Sequence, residues 1–182
     1  MSEKYYTQME AARKGIITEE MRAVARKEYR TEEEIRDLVA KGQVAICANK
    51  RHKCLDPNGV GSMLRTKINV NLGVSKDCKD YEVEMEKVMA AVNMGAEAIM
   101  DLSSHGNTQP FRRKLTQECP AMIGTVPVYD SVIHYKRDLA TLTAKDFIDV
   151  VRLHAEDGVD LSHCTVELQE KQLNRSRSIK EK

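Results

Sequence analysis

Seven consecutive residues, Lys67-Ile68-Asn69-Val70-Asn71-Leu72-Gly73, carry the side chains best suited to reading a ligand. Ile68, Val70 and Leu72 alternate with Lys67, Asn69 and Asn71. A period of two is the signature of a strand with two unlike faces. One face packs, and the other holds two carboxamides a pleat apart, pointing the same way. Carboxamides near the end of a strand, followed by Gly73 and the polar turn Val74-Ser75-Lys76-Asp77, suit a ligand site. The alternative is a strand whose second face is only hydrated. Further polar groups gather where later apolar runs end: Met100-Asp101 with Ser103 and Ser104, then Thr125 and Tyr129.

The elements that position these groups follow from spacing and caps. Residues 5–40 read as three helices. Thr7 with Glu10 opens the first and Gly15 closes it. Thr18 opens the second, which buries Met21, Val24 and Ala25. Thr31 opens the third, with Ile35, Leu38 and Val39 as its stripe. Val44 to Cys47 is a short strand. A turn-rich loop follows, whose Asn49, Lys50, Arg51, His52 and Lys53 are either solvated or able to meet an anion. From Lys67 the pattern alternates. Strand 67–73 leads to helix 81–94, which buries Val83, Met85, Val88, Met89 and Val92. Strand 98–102 leads to a helix capped by Thr108, with Phe111 and Leu115 inside and Arg112, Arg113 and Lys114 on its outer face. Strand 122–129 precedes a helix from Ala144 to Glu156 capped by Thr143, and Val159 opens a fourth strand. Short β-α-β-α-β-α connections imply a parallel sheet. Ligand residues at the C-terminal ends of such strands mark a (β/α)8 barrel or an open doubly wound sheet. No Gly-x-Gly-x-x-Gly or P-loop follows a strand, which disfavours a nucleotide-binding Rossmann unit. Three βα units do not close a barrel, which takes about eight strands.

Composition narrows the classes. A chain of 182 residues suffices for one cored domain. A formal charge of +1 gives no electrostatic case for nucleic acid or membrane partners. No apolar run is long enough to cross a bilayer, and the first residues do not form a signal peptide, so the protein is expected to be cytoplasmic. The five cysteines are widely spaced, with no Cys-x-x-Cys, and read as reduced thiols. Tryptophan is absent and aromatics are few, which argues against base-stacking platforms.

Four stretches together carry a family resemblance. They are Thr7-Gln8-Met9 with Ala12-Arg13-Lys14-Gly15-Ile16-Ile17-Thr18, then Lys67 to Gly73, then Ala98-Ile99-Met100-Asp101-Leu102-Ser103, then Ile123-Gly124-Thr125-Val126-Pro127-Val128-Tyr129. In this order they resemble the ThiC family, phosphomethylpyrimidine synthase, over about Thr7 to Asp160. The resemblance implies a radical S-adenosylmethionine lyase of thiamine biosynthesis that rearranges aminoimidazole ribonucleotide into hydroxymethylpyrimidine phosphate. It also implies a 4Fe-4S cluster, S-adenosylmethionine, zinc and a homodimer for the full-length family. A close paralogue, 5-hydroxybenzimidazole synthase of cobamide synthesis, uses the same substrate. The loop Ser103-Ser104-His105-Gly106-Asn107-Thr108 does not separate the two. Carried over residue by residue, the family's substrate contacts fall on Asn71, Met100 and Tyr129. A carboxamide reads ring nitrogens or hydroxyls, a thioether packs on a flat ring, and a phenol stacks and donates. Asp101 and Ser103 adjoin these positions without an assigned contact. No catalytic or metal-binding residue is assigned.

The expected organisation is a helical and irregular region, 1–66, followed by the first three βα units of an incomplete (β/α)8 barrel, 67–160. After Asp160 the resemblance stops. Residues 161–182 lack a strand period and read as a disordered basic tail. Read two bases out of frame with permitted codons, the same stretch gives Leu-Thr-Leu-His-Cys-Gly-Ile-Thr-Arg-Lys-Thr, a strand ending in histidine before an amphipathic helix. This suggests a frameshift near codon 160. The family's cluster cysteines and metal-binding histidines would lie beyond the chain, so the chain by itself is expected to be inactive. The remaining alternatives are a non-catalytic nucleotide-binding remnant and an inert pseudogene product.

Overall fold

The computed structural model of the protein describes residues 5–163. Its first part is helical: α1 (Gln8–Arg13), α2 (Glu19–Glu28) and α3 (Glu32–Ala40). Each starts at the expected threonine. Thr7, Thr18 and Thr31 accept from the backbone N–H of Glu10, Met21 and Glu34, satisfying donors that a helix start leaves open. Thr31 and Glu34 form a full capping box. Glu10 instead reaches one residue further back, to the Tyr6 N–H at 2.9 Å. The apolar stripes close on one another, burying Ala11, Ala12, Met21, Val24, Ala25, Ile35 and Val39 with Val44 and Ile46. The last two lie on β1 (Val44–Ile46), which pairs antiparallel with β2 (Gly59–Gly61).

The second part is a four-stranded parallel sheet, β3 (Asn69–Leu72), β4 (Ala98–Asp101), β5 (Met122–Thr125) and β6 (Leu161–Ser162), in that spatial order. Helices α4 (Tyr81–Asn93) and α5 (Gln109–Glu118) connect the first three strands. Their apolar residues Met85, Val88, Phe111 and Leu115 pack on Val70, Leu72, Ile99 and Ile123. This is the face read as apolar from the period of two. Val83 and Met89 lie towards solvent, 40% and 37% exposed, so the buried stripe of α4 is narrower than its composition suggests. Lys67 enters β3 with its ammonium 2.6 Å from Glu28 Oε1, both side chains nearly buried, which ties α2 to the sheet.

Beyond β5 the structure departs from the sequence reading. The apolar run 122–129 is not one strand. The ladder stops at Thr125, and Pro127 opens α6 (Pro127–Tyr135). Proline has no N–H to give a ladder and its fixed φ suits the first helical turn. A 3-10 turn (Leu139–Thr141) and α7 (Ala144–Glu156) follow, the latter with a full capping box from Thr143 and Asp146. Strand β6 begins two residues after the expected Val159. Asp160 N–H donates to Ile123 O at 2.9 Å and His163 N–H to Thr125 O at 2.8 Å. Residues 161–163 of the expected tail are therefore paired to the sheet, and the rest of that segment, with the frameshift reading, lies outside the described residues.

Candidate functional site

The sheet register sets Asn71 beside Met100, and Met100 beside Gly124. All three therefore lie on the face away from Val70, Ile99 and Ile123. Asn69 Nδ2 donates to Asn71 Oδ1 at 2.9 Å, which fixes the carboxamide orientation and leaves the Asn71 amide N–H2 to point outward. The thioether of Met100 lies across Gly124. A β carbon there would stand 2.8 Å from Met100 Cε and 2.6 Å from Leu161 Cδ1. The missing side chain at Gly124 makes room for the methionine and leaves a shallow polar and thioether surface.

Tyr129 is placed differently from expectation. It sits on the first turn of α6, past the end of β5, and is 47% exposed. The fold thus brings together two of the three residues assigned to the substrate. The third stands on a separate element at the same end of the sheet. The misplacement came from reading Val126-Pro127-Val128 as β-branched strand.

Gly73 closes β3 at φ +137, where L side chains are strained. A β carbon would lie 2.5 Å from the backbone N of Ser103. Its own N–H donates to the buried Glu84 Oε2 at 3.0 Å. Gly73→Ala is expected to cost about 3 kcal/mol, combining backbone strain with overpacking against main chain. A urea melt checks it, and a cost under about 1 kcal/mol would show that the loop end yields. On the neighbouring strand Asp101 Oδ1 accepts from the Ser103 N–H (2.9 Å) and hydroxyl (2.5 Å), and Ser103 Oγ accepts from the Val74 N–H at 3.1 Å. Burial pushes the Asp101 carboxyl up despite these bonds. Both residues face the helices and act as loop fasteners.

A buried charge cluster lies beneath these loops, and the sequence reading missed it. Arg112 belongs to no outer face, being 1% exposed. Its Nη2 and Nε donate to Asp157 Oδ2 at 2.8 and 3.1 Å, and Nη1 donates to Asp130 Oδ2 at 3.1 Å. Thr108 does not cap α5, because its hydroxyl donates to Asp130 Oδ1 at 2.5 Å. His154 Nε2 lies 2.9 Å from Asp130 Oδ2 and its Nδ1 lies 2.8 Å from Thr125 Oγ1. The cluster therefore ties β5, α5, α6 and α7. The signal was present: Arg112 falls in helical phase with Thr108, Leu115, Thr116 and Cys119, all buried.

The basic loop is also internal in part. His52 is 4% exposed, with Nδ1 2.7 Å from Asp160 Oδ2 and Nε2 2.7 Å from Cys119 O. Asn49 Nδ2 donates to the carbonyls of Ala155 and Val159, and Arg51 donates to Glu156 O. These three residues join the loop to the turn before β6, and do not form an anion site.

With this geometry in place, comparison with known proteins is informative. Residues 7–180 match the model of the radical SAM ThiC family. The chain belongs to that family. It is 60% identical over 157 residues to a phosphomethylpyrimidine synthase of Alkaliphilus oremlandii, covering 86% of this chain and 36% of that protein. It is 58% identical over 156 residues to the namesake in Clostridioides difficile (86% and 36%), and 56% identical over 164 residues to that of Clostridium novyi (89% and 38%). The chain thus spans little more than a third of the length of these curated relatives. The family match extends through residue 180, past Asp160, where the motif resemblance ends.

A radical SAM family implies a 4Fe-4S cluster and S-adenosylmethionine. The described residues do not fit such a cluster. No group of three His, Cys, Asp or Glu among them is placed to hold a metal ion. Three of the thiols are also disfavoured as thiolates by burial. Burial pushes Cys119 up to about 11, and burial raises Cys47 and Cys54 as well, whereas iron is bound by thiolate. Among the described residues no helix is long and apolar enough to cross a membrane.

Proposed function

We propose that this chain forms the opening part of a radical S-adenosylmethionine lyase that converts aminoimidazole ribonucleotide to hydroxymethylpyrimidine phosphate in thiamine biosynthesis. In this reading residues 1–66 are a helical and loop region. Residues 67–160 are the first βα units of a (β/α)8 barrel, whose inner surface is the face bearing Asn71 and Met100. The observation that carries it is the register pairing of Asn71 with Met100 beside Gly124, in a chain whose relatives are named phosphomethylpyrimidine synthase. The Asn71 amide donates to a ring nitrogen or hydroxyl, the Met100 thioether lies flat on the imidazole, and Tyr129 approaches from α6. In this reading the 4Fe-4S cluster, the S-adenosylmethionine site, zinc and the homodimer are features of the full-length protein, and the described residues contribute only the substrate-facing surface.

Aminoimidazole ribonucleotide titrated into the 182-residue chain, labelled at the methionine methyls, tests the reading. Weak binding is expected, on the order of 1 mM or about −4 kcal/mol, with the shift at Met100 and loss of the signal in Asn71→Ala. Shifts at other methionines alone, or none at several times that concentration, would remove the substrate from this face. The same chain with S-adenosylmethionine and a strong reductant is expected to give no pyrimidine product. Product formation would overturn the assignment of the cluster to other parts of the protein.

A further inference from the structure

On the helix side of the sheet, the loop between β4 and α5 and the second half of α6 line an open cleft of about 600 Å³. We infer that this cleft binds the phosphate group of a small phosphorylated metabolite, held by Lys136 together with His105 and His134. It is a second site, independent of the reading above, because Asn71 and Met100 lie on the opposite face of the sheet.

The charge balance of the walls carries the argument. Asp130 is the single carboxylate among the lining residues. It already accepts from Thr108 and Arg112 and faces His154, so its charge is matched from within the cluster. Lys136, His105 and His134 line the same space, and no carboxylate stands within ion-pair distance of any of them among the described residues. The unmatched charge is therefore the single cation of Lys136, with the two imidazole rings beside it as hydrogen-bonding groups. It is joined by the Ser104 hydroxyl and the Asn107 amide as further donors.

Lys136 stands at φ +50 and ψ +41, the left-handed position that ends α6. Glycine usually occupies that position, and a β carbon there costs about 1–2 kcal/mol. The same conformation ends α2 at Tyr29, so it fixes where the lysine stands, at the rim of the cleft, and does not by itself mark a site.

Size and lining decide between a bare anion and a larger molecule. The volume is that of a small-molecule site, which spans roughly 300–1,000 Å³. Inorganic phosphate would fill a small part of it. Ile133 and Leu153 supply apolar wall for an organic portion. The cleft also opens beside the C-terminal ends of parallel strands, where open α/β sheets take their ligands.

The test uses the whole chain with labelled histidines, at fixed pH, titrated with ribose 5-phosphate. Saturable shifts of the His105 and His134 ring signals are expected. Lys136→Gly is expected to weaken binding about tenfold, the equivalent of one charge-assisted hydrogen bond. It also removes the left-handed strain, so a urea melt should show no loss of stability. Lys136→Gln, which keeps a side chain of similar reach, is expected to weaken binding as well. Ribose should give no shift, and inorganic phosphate should bind more weakly than the sugar phosphate. Absence of a saturable shift, equal shifts with ribose, or full binding by both Lys136 variants would overturn the site. Equal affinity for inorganic phosphate would overturn its organic portion.

Discussion

Replacing Arg112 with methionine is expected to destabilise the protein by about 3–5 kcal/mol. Arg112 is 1% exposed, as is the Asp157 side chain, and the Asp130 side chain is 10% exposed. Methionine fills much of the space yet removes the shared cation, leaving Asp157 only Arg113 and Gln109, and Asp130 only Thr108 and His154. Burying an unpaired charge is what makes breaking such a cluster costly, more than the attraction it removes. A domain is stable by about 5–15 kcal/mol, so the variant should lie near the edge of folding. A urea melt of the variant and of Asp157→Asn, singly and together, reads the effect. The double variant should be less damaged than the sum, by about 1–3 kcal/mol, because each change removes the other's reason for cost. Additive losses would mean that the arginine only fills volume.

The same cluster predicts an acid limb. Burial alone would raise Asp130, but hydrogen bonds from His154 and Thr108 and the Arg112 charge outweigh it and hold the carboxyl at about 2, against 3.8 ordinarily. Asp157 is lowered too, burial again being overcome by Arg113, Arg112 and Gln109. Below an ordinary carboxylate value the unfolded chain binds protons that the folded chain refuses. The stabilisation is therefore present above about pH 4 and is lost as pH falls towards 2. Asp101 acts in the opposite sense, since burial raises its carboxyl. The urea midpoint of the wild type should fall between pH 4 and pH 3, and that fall should be shallower in Arg112→Met.

How much of this was legible in the sequence depends on the range of the interaction. The caps at Thr7, Thr18, Thr31 and Thr143 were readable because a cap is settled within four residues. The two-faced strand at Lys67 was readable because side-chain alternation is local and one face is buried. Thr108 looked like the same capping residue, yet its hydroxyl is taken by Asp130, 22 residues on. Arg112 looked like a solvated charge, since its partners Asp130 and Asp157 are remote in sequence. His52 and Asn49 looked like a free basic loop for the same reason. The Pro127 helix start was a contest between β-branched propensity and proline geometry, and proline won. Of the assigned site, the polar face holding Asn71 follows from strand alternation, whereas Met100 came from the family resemblance and by residue type alone reads as ordinary core. Tyr129 needed the turn after Thr125, which propensity alone misplaces.

Asp160 shows how far a single remote residue reaches. Its Oδ1 accepts the Asn49 N–H at 2.8 Å, and its Oδ2 accepts the Ile123 N–H at 2.8 Å and faces His52 Nδ1 at 2.7 Å. The His52 and Asp160 side chains are both fully buried. With the Cys119 carbonyl on Nε2, both ring nitrogens of His52 meet acceptors, which is the arrangement of an imidazolium. Asp160→Ala leaves the ring's Nδ1 and two backbone donors without partners and is expected to cost about 3–5 kcal/mol. It should also erase a pH dependence. Burial would lower His52, but the Asp160 bond and charge and the Cys119 carbonyl raise it above 6.5. A base raised on folding stabilises fully below its unfolded value, and that gain is lost as pH rises through the folded value. The wild type should therefore melt at higher urea at pH 6 than at pH 8, and Asp160→Ala should lose that advantage or reverse it, because burial then lowers the ring with only the Cys119 carbonyl opposing it. A variant that keeps the difference would place its source outside this pair. The helical region and the sheet would then be joined without the His52 charge, by Asn49, Arg51, the Asp56 N–H on the Pro120 carbonyl and the Lys67–Glu28 contact among others.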